Sequence, residues 1–514
     1  MKRALPLGLC LSVLLALILR VPDLDQRPFH NDEAVNAVKA GELLEAGTYR
    51  YDPHEFHGPS LHYATWMLSR LTSWPSFEEA GENRFRWLTV LFGVSLIPLL
   101  WLVRDALGRA GMVWAGLLTA LSPVLVFFSR DYIHEMLLVV FTFCLIGCGW
   151  RYLRHPNWKW AVAAGVAAGL MHATNETFLL NLAAMAMAYG LLRPWTASAA
   201  GTAAPRSRRW LAHGALMLGA WTAVSLGLFS SLGQNPSGPM DSLRTYLPWL
   251  GRAGGGSPHV HPVWFYAERL FWRPSGHPLP WTELGILILA GAGARAGFTN
   301  RGLGDSSGPF VRWLTFYSGI LFVIYSLIPY KTPWCILGAA HGMVLLAGVG
   351  MAAVWRIAWK FPQRVALGTF TVVLLPWLCV QAWALSHSQI STRGNPWAYA
   401  DTTPDVRNLL GLVEELAAHS PRHRGMNIQV LCEEDDYWPL PYYLRAYDHT
   451  GWWDQLPPEP LAPVLIASPG LASVLGESSD HWQVGLFQLR HGVFLSCHVE
   501  KGLWDAFLNA RSSD

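Results

Sequence analysis

Apolar residues run through this chain in long blocks separated by short polar connections. Blocks of the length that a bilayer core demands, about 20 residues per helix, fall near 4–21, 86–103, 110–129, 132–150, 160–174, 176–192, 210–231, 281–297, 310–329, 333–354 and 363–386. The pattern predicts eleven membrane-spanning helices. Two connections are long. The first, 22–85, holds HNDEAVNAVKAGELLEAG, whose Ala, Val and Leu positions recur at helical spacing, and LHYATWMLSRL. Both read as amphipathic helices on the membrane surface. The second, 232–280, is rich in Gly, Pro and Trp. From 387 onward the pattern changes to short apolar runs (NIQVL, PVLIAS, WQVGLFQL, VFLSC) beside the helical VRNLLGLVEELAAH, which predicts a small α/β domain. No internal repeat of the transporter kind is visible.

Composition agrees with this pattern. Only 14% of the 514 residues are charged and 52% are hydrophobic, against about a quarter charged in ordinary soluble proteins. A soluble enzyme and a disordered chain are excluded. The net charge of +3 is too small for phosphate-backbone binding, and the basic residues lie in short clusters instead of one patch, so nucleic acid is not a partner. The first apolar run follows Met1-Lys2-Arg3 as a signal peptide would, but no small-x-small site follows it; Arg20, Pro22 and Asp23 do. It reads as a retained span with its N-terminus inside. Alternate connections then carry Arg104 and Arg109; Arg151, Arg154 and Lys159; Arg193, Arg206, Arg208 and Arg209; Arg295, Arg301 and Arg312; and Arg356, Lys360 and Arg364. By the positive-inside rule these face the cytoplasm, and an odd number of spans puts the C-terminal part outside. The predicted fold class is therefore a polytopic α-helical membrane protein, with a transmembrane domain at 1–386 and an extracytoplasmic α/β domain at 387–514. Of seven cysteines only Cys432 and Cys497 fall in polar sequence, and a disulfide between them would need an oxidising compartment.

With this topology, the polar residues that are costly near a membrane gather at the outer ends of the spans: His30, Asp32, Glu33, Glu55 and His57 in the first loop, then Arg130, Asp131, His134 and Glu135, then His172, Asn175 and Glu176, His259 and His261, and Lys331 in YKTPW. Ionisable groups at membrane depth mark functional sites by default. Each also has a plainer reading. Asp32 and Glu33 suit a helix N-terminus, Arg130 and Asp131 suit a structural ion pair, and Lys331 beside Pro333 and Trp334 suits interfacial snorkelling. His259 and His261, two residues apart in an extended segment, face one way and could hold a divalent metal with Glu55 or His57. Taken together, the set suits group transfer from a lipid-linked donor. A carboxylate takes the proton of an acceptor hydroxyl as it attacks a sugar carbon, and Lys or Arg stabilises the departing phosphate.

The acidic pair after one span, the many-spanning core and the outer C-terminal domain resemble the GT-C superfamily of membrane glycosyltransferases. More narrowly the chain resembles the flippase activity-associated, protein O-mannosyltransferase-like family, through FHNDEAVNA, GTYRYDPHEFHGP, LSPVLVFFSRDYIHEM, ATNETF, YKTPW, TTPDV and DYWPLPYYLR. These stretches run from about 29 to 445. The resemblance implies Asp32 as catalytic base with Glu33 beside it and Lys331 as a donor-phosphate ligand; the chemistry of the set adds Arg130 as a second phosphate ligand. Glu135, His134, Glu176 and His57 would orient the site. The family's usual Asp is replaced by Glu135, its Lys by Asn175 and its frequent Glu by Tyr330. The implied function is transfer of a sugar from a polyprenyl-phosphate-linked donor to a protein, lipid or glycan acceptor at the outer face of the cytoplasmic membrane. The alternative is a flippase or transporter component for lipid-linked sugars. A third reading, a glycan sensor built on Trp438, Tyr442, Trp452 and Trp453, leaves the acidic cluster unexplained.

Overall fold

The computed structural model describes residues 4–54, 57–74, 76–196, 208–254, 259–274, 280–392, 394–433, 436–457, 460–475 and 480–512. By internal contact the chain divides into two compact units. One comprises Met1–Leu24, Glu42–Thr72 and Asn83–Tyr399; the other comprises Asp25–Gly41, Ser73–Glu82 and Ala400–Asp514. The second unit thus draws two pieces of the first loop into the same body as the C-terminal segment.

In chain order the helices are α1 (Ala4–Arg20), α2 (Asn31–Ala46), α3 (Ser60–Leu71), α4 (Glu82–Leu99), α5 (Arg104–Leu107), α6 (Arg109–Leu121), α7 (Pro123–Phe128), α8 (His134–Arg154), α9 (Trp158–His172), α10 (Phe178–Thr196) and α11 (Arg208–Phe229). There follow α12 (Gly238–Arg244), α13 (Tyr246–Ala253), α14 (Phe265–Phe271), α15 (Leu284–Thr299), α16 (Gly308–Leu327), α17 (Leu337–Ile357) and α18 (Phe361–Ser386). Each of the eleven predicted spans is helical. Among the described residues six helical stretches have the length and apolarity to cross a membrane by themselves: Glu82–Leu107, His134–Arg154, Arg209–Phe229, Gly308–Leu327, Pro333–Ile357 and Phe361–Ser386. Four more are apolar but shorter. The predicted span at 110–129 is broken, because Ser122 precedes Pro123 and leaves the helical region (φ −59°, ψ 117°).

Within this unit α17 is the most buried span. Small residues let it approach α15 backbone to backbone: a Cβ on Gly350 would lie 1.9 Å from Leu289 O, and one on Gly293 would lie 2.1 Å from Leu346 O. Such contacts are how helices associate where lipid supplies no hydrophobic drive. Two buried arginines fasten α1. Arg20 donates to Ala120 O and Thr119 O at 2.9 Å each, satisfying carbonyls of the last turn of α6, which Pro123 leaves without helical donors.

The second unit is built on a five-stranded sheet of order β2-β1-β3-β5-β4, comprising β1 (Ile428–Leu431), β2 (Thr450–Trp453), β3 (Val464–Ala467), β4 (His481–Arg490) and β5 (Val493–Glu500). β1 runs parallel to β2 and β3; β5 runs antiparallel to β3 and β4. Four of the strands are the predicted apolar runs, whereas β2, TGWW, lacks the alternation that marks a strand. The helix α19 (Val406–His419) buries Val406, Leu409, Val413, Leu416 and Ala417, one stripe at helical spacing. The sheet places Cys497 opposite Ile466, and Ile466 opposite Val430. Cys497 is therefore two strands from the Cys432 strand, about 9.6 Å at the usual spacing, beyond disulfide reach. Both cysteines are free and buried. The motif DYWPLPYYLR anchors the first-loop pieces. Tyr443 Oη accepts from Phe29 N at 2.7 Å, Tyr442 Oη donates to Ala80 O at 2.6 Å, and Arg445 Nη2 donates to Glu78 O at 2.8 Å.

Candidate functional site

The predicted acidic pair lies in the second unit, and its two members differ sharply. α2 begins at Asn31, so Glu33 occupies the third helical position, from which a glutamate can reach back to the N-cap backbone. It does so: Glu33 Oε2 accepts from His30 N at 2.9 Å. The same oxygen lies 3.0 Å from Arg27 Nη2, and Arg27 Nη1 lies 3.4 Å from Asp401 Oδ1. The side chains of Arg27 and Glu33 are 1% and 0% exposed. Glu33 is thus committed to closing a buried ion-pair network around the start of α2. Asp32, one residue earlier, is only partly buried. Its backbone N–H donates to His30 Nδ1 at 3.1 Å, and its carboxylate has no hydrogen-bond or ion-pair partner among the described residues. Arg27 and Asp401 were not foreseen. Arg27 is one basic residue among several between the first span and α2, and its partner is 374 residues away.

The other predicted residues lie in the first unit, and the two predicted phosphate ligands are occupied there by backbone. Arg130 is buried, and its guanidinium donates to Arg20 O at 2.8 Å, Pro22 O at 2.6 Å and Asp23 O at 3.0 Å. These carbonyls follow the C-terminus of α1, which needs donors, so Arg130 caps that helix. Lys331 is likewise buried, and its ammonium donates to His261 O at 2.9 Å and Ile328 O at 2.5 Å. Burial holds that ammonium below the usual lysine pKa. Its backbone N–H donates to His259 O at 2.9 Å, next to the Val260–Tyr330 bridge, and the residue fastens two loops. A phosphate at either cation would have to displace carbonyls already bound.

Glu176, in the connection between α9 and α10, is buried and accepts from His57 Nδ1 at 2.6 Å and Tyr51 Oη at 3.3 Å. Burial alone would raise its carboxyl pKa; the charge and hydrogen bond of His57, with a backbone N–H and the Tyr51 hydroxyl, together leave it below the ordinary value. The loop carrying His57 is pressed onto the α9 end. A Cβ on Gly58 would lie 2.4 Å from Ala173 C and O, so only glycine fits that approach. His134 Nε2 donates to Gly58 O at 3.0 Å, which fixes the same loop from α8. His57, Glu176 and His134 are thus brought together, and their bonds tie Tyr51, His57 and Gly58 to α8 and the α9–α10 connection.

Glu135 faces a different space. It lies on the wall of an open cleft enclosing about 630 Å³, part of it solvent. His57, Asn175, Trp249, Arg252, Tyr330 and Trp334 also line it. Asn175 Nδ2 donates to Glu135 Oε1 at 3.4 Å. Carboxylate, amide, guanidinium and aromatic rings around one polar cleft make a surface that can hydrogen-bond and stack a small polar ligand. Arg252, Trp249 and Trp334 were missed as site residues. In a Gly-, Pro- and Trp-rich loop, neither periodicity nor spacing distinguishes a cleft-lining side chain from a solvated one. The pair His259 and His261 does converge, on a hydroxyl: Tyr399 Oη is 2.7 Å from His259 Nδ1 and 2.9 Å from His261 Nε2. Glu55 lies outside the described residues. Among the described residues no group of three or more His, Cys, Asp or Glu is placed to hold a metal, and both histidines bond the Tyr399 hydroxyl.

Helices of these lengths around a central buried span, with a small sheet-containing unit formed by the chain's end, define the fold of GT-C membrane glycosyltransferases, and comparison with known proteins bears that out. Residues 57–219 match the dolichyl-phosphate-mannose-protein mannosyltransferase family. No curated protein sequence matches the chain. The crystal structure of ArnT from Cupriavidus metallidurans bound to undecaprenyl phosphate shares the fold with TM-score 0.63 and 16% identity, over 95% of this chain and 97% of that one. Its apo form gives TM-score 0.62 at the same identity and coverage. The archaeal oligosaccharyltransferase AglB from Archaeoglobus fulgidus, in complex with an inhibitory peptide and a dolichol-phosphate, gives TM-score 0.57 at 14% identity, over 88% of this chain and 64% of that one.

Proposed function

We propose that the protein is a membrane glycosyltransferase that moves a sugar from a polyprenyl-phosphate carrier to an acceptor hydroxyl, amide or amine at the outer face of the cytoplasmic membrane, with its N-terminus in the cytoplasm. The observation that carries this reading is the contrast within the acidic pair. Glu33 is buried and engaged, while Asp32 beside it keeps a partly exposed carboxylate without a hydrogen-bond or ion-pair partner among the described residues, on a helix start held by the Arg27–Glu33 network. A general base needs that combination of fixed position and free lone pair. Likeness of fold to ArnT and AglB, whose structures hold undecaprenyl phosphate and dolichol-phosphate, supports a polyprenyl-linked donor. The family match over 57–219 supports sugar transfer.

In this reaction the acceptor atom attacks the anomeric carbon, the bond from that carbon to the phosphate oxygen breaks, the acceptor proton passes to Asp32, and polyprenyl phosphate leaves with the electron pair. Negative charge grows on the departing phosphate, and a cation aimed there lowers the barrier. Arg130 and Lys331 are buried and held by several carbonyls; within the first unit the cleft wall offers Arg252, an exposed guanidinium whose Nη2 donates to His54 O. Within the first unit, Glu135, Asn175, Trp249 and Trp334 give the cleft groups that hydrogen-bond and stack a sugar. The test is to reconstitute the full chain in liposomes with radiolabelled polyprenyl-phosphate sugars and to measure release of polyprenyl phosphate. Acceptor-dependent release supports the reading; lipid-linked sugar appearing intact in the opposite leaflet, with no release, would replace it with translocation.

A further inference from the structure

The segment after α11 carries an apolar surface that none of the described residues covers. α12 and α13 are joined at Thr245, whose backbone stays helical (φ −55°, ψ −26°), so the two form one nearly continuous helical stretch. Met240, Leu243, Leu247 and Leu250 recur along it at spacings of three and four, one stripe of a helix surface. They are 54%, 58%, 74% and 60% exposed. The opposite side is engaged: Trp249, Arg252 and Ala253 line the cleft that holds Glu135, and Thr245 Oγ1 donates to Pro53 O at 3.1 Å.

Two features fix the height of this stripe. α11 is long and apolar enough to cross a bilayer, and almost none of it is covered by protein, so its flank belongs to lipid. Its end is bound to the start of α12: a Cβ on Gly238 would lie 1.9 Å from Phe229 O, and Asn235 N donates to Ser230 O at 2.7 Å. The chain folds straight back at the end of the span, and the exposed apolar surface continues from Leu226 through Leu232 to Met240. An apolar stripe held at the end of a lipid-facing span, with Arg244 beside it, meets the description of an interfacial helix, whose apolar face enters the bilayer about 5–10 Å.

We infer that α12 and α13 lie in the membrane interface with Met240, Leu243, Leu247 and Leu250 among the acyl chains, so that the cleft wall bearing Trp249 and Arg252 is seated on lipid. This rests on the spans crossing a bilayer and is independent of the transfer chemistry. The experiment places an environment-sensitive fluorescent amino acid, one site at a time, at position 218 in α11, at 247 or 250 in the stripe, and at 414 on α19, in the full chain reconstituted in phosphatidylcholine vesicles with brominated acyl chains. Leu218 and Glu414 are exposed references on the two compact units. Quenching at 247 by the lipid bromine to within about twofold of that at 218, with aqueous iodide acting only at 414, is the expected result. Iodide quenching at 247, or protection of 247 from both quenchers as a second copy of the chain would give, overturns the inference. Position 250 supplies the same reading where the variant at 247 does not fold.

Discussion

Removing the Glu33 carboxylate separates its structural role from a catalytic one. In Glu33→Ala, Arg27 stays buried at 2% exposure and loses the carboxylate 3.0 Å from its Nη2 while keeping Asp401 at 3.4 Å, and the His30 N–H loses the Glu33 oxygen to which it donates. Breaking a buried ion pair from one side costs about 3–5 kcal/mol, because the remaining charge is left in low dielectric. Solvent does not screen this pair, since both side chains are essentially fully buried. Glu33→Gln keeps an oxygen for Arg27 and His30 and loses only the charge, so its cost falls to about 1.5–3 kcal/mol, the range for a charge-assisted hydrogen bond. The ordering wild type, Glu33→Gln, Glu33→Ala should appear in denaturant midpoints of the purified protein, while turnover per folded molecule changes far less than in Asp32→Asn. Wild-type stability in Glu33→Ala combined with a turnover loss as deep as that of Asp32→Asn would refute the reasoning and make Glu33 a reacting group.

Three further outcomes follow from the geometry. Arg130→Gln should cost about 3 kcal/mol of stability by stripping charged donors from the α1 end, and leave KM for the donor unchanged in the protein that remains folded; a selective rise in KM would restore its predicted phosphate role. Arg252→Ala should raise KM for the lipid-linked donor roughly 10–100-fold, the equivalent of one charge-assisted hydrogen bond, with no loss of stability, as compared by initial rates and thermal unfolding. The Glu176 carboxyl is held below its ordinary pKa, so the stability it contributes is complete above the unfolded value of about 4.3 and is lost as pH falls through the lower folded value. Glu176→Gln should therefore be less stable than wild type at neutral pH, and the two unfolding curves should converge only below that range.

Legibility of the sequence followed the range of the interactions. The apolar blocks placed helix at every predicted span, with 110–129 broken in two at Ser122–Pro123, because length and hydropathy are local properties. The strand β2 escaped, because TGWW owes its pairing to a neighbour in the sheet and not to its own alternation. At the site, the sequence located Asp32 and Glu33 but could not divide them, since the division is made by Arg27 and by Asp401 from the far end of the chain. Arg130 and Lys331 were conspicuous as cations near apolar runs, yet their acceptors are backbone carbonyls, which every residue carries and no residue type advertises. Arg252 was inconspicuous for the opposite reason: it lies in a stretch whose Gly, Pro and Trp content reads as a loop, and folding makes that stretch the helix α13 and places Arg252 on the cleft.

Turnover of Asp32→Asn tests the central claim most directly. The substitution removes the base and leaves the size of the side chain, and the carboxylate it replaces has no hydrogen-bond or ion-pair partner among the described residues. In proteoliposomes supplied with the polyprenyl-phosphate sugar that the wild type consumes, the variant should fold with wild-type stability, bind donor with unchanged affinity and transfer sugar about 10²–10⁴-fold more slowly. Transfer at the wild-type rate by equally folded protein would contradict the assignment of Asp32 as the base.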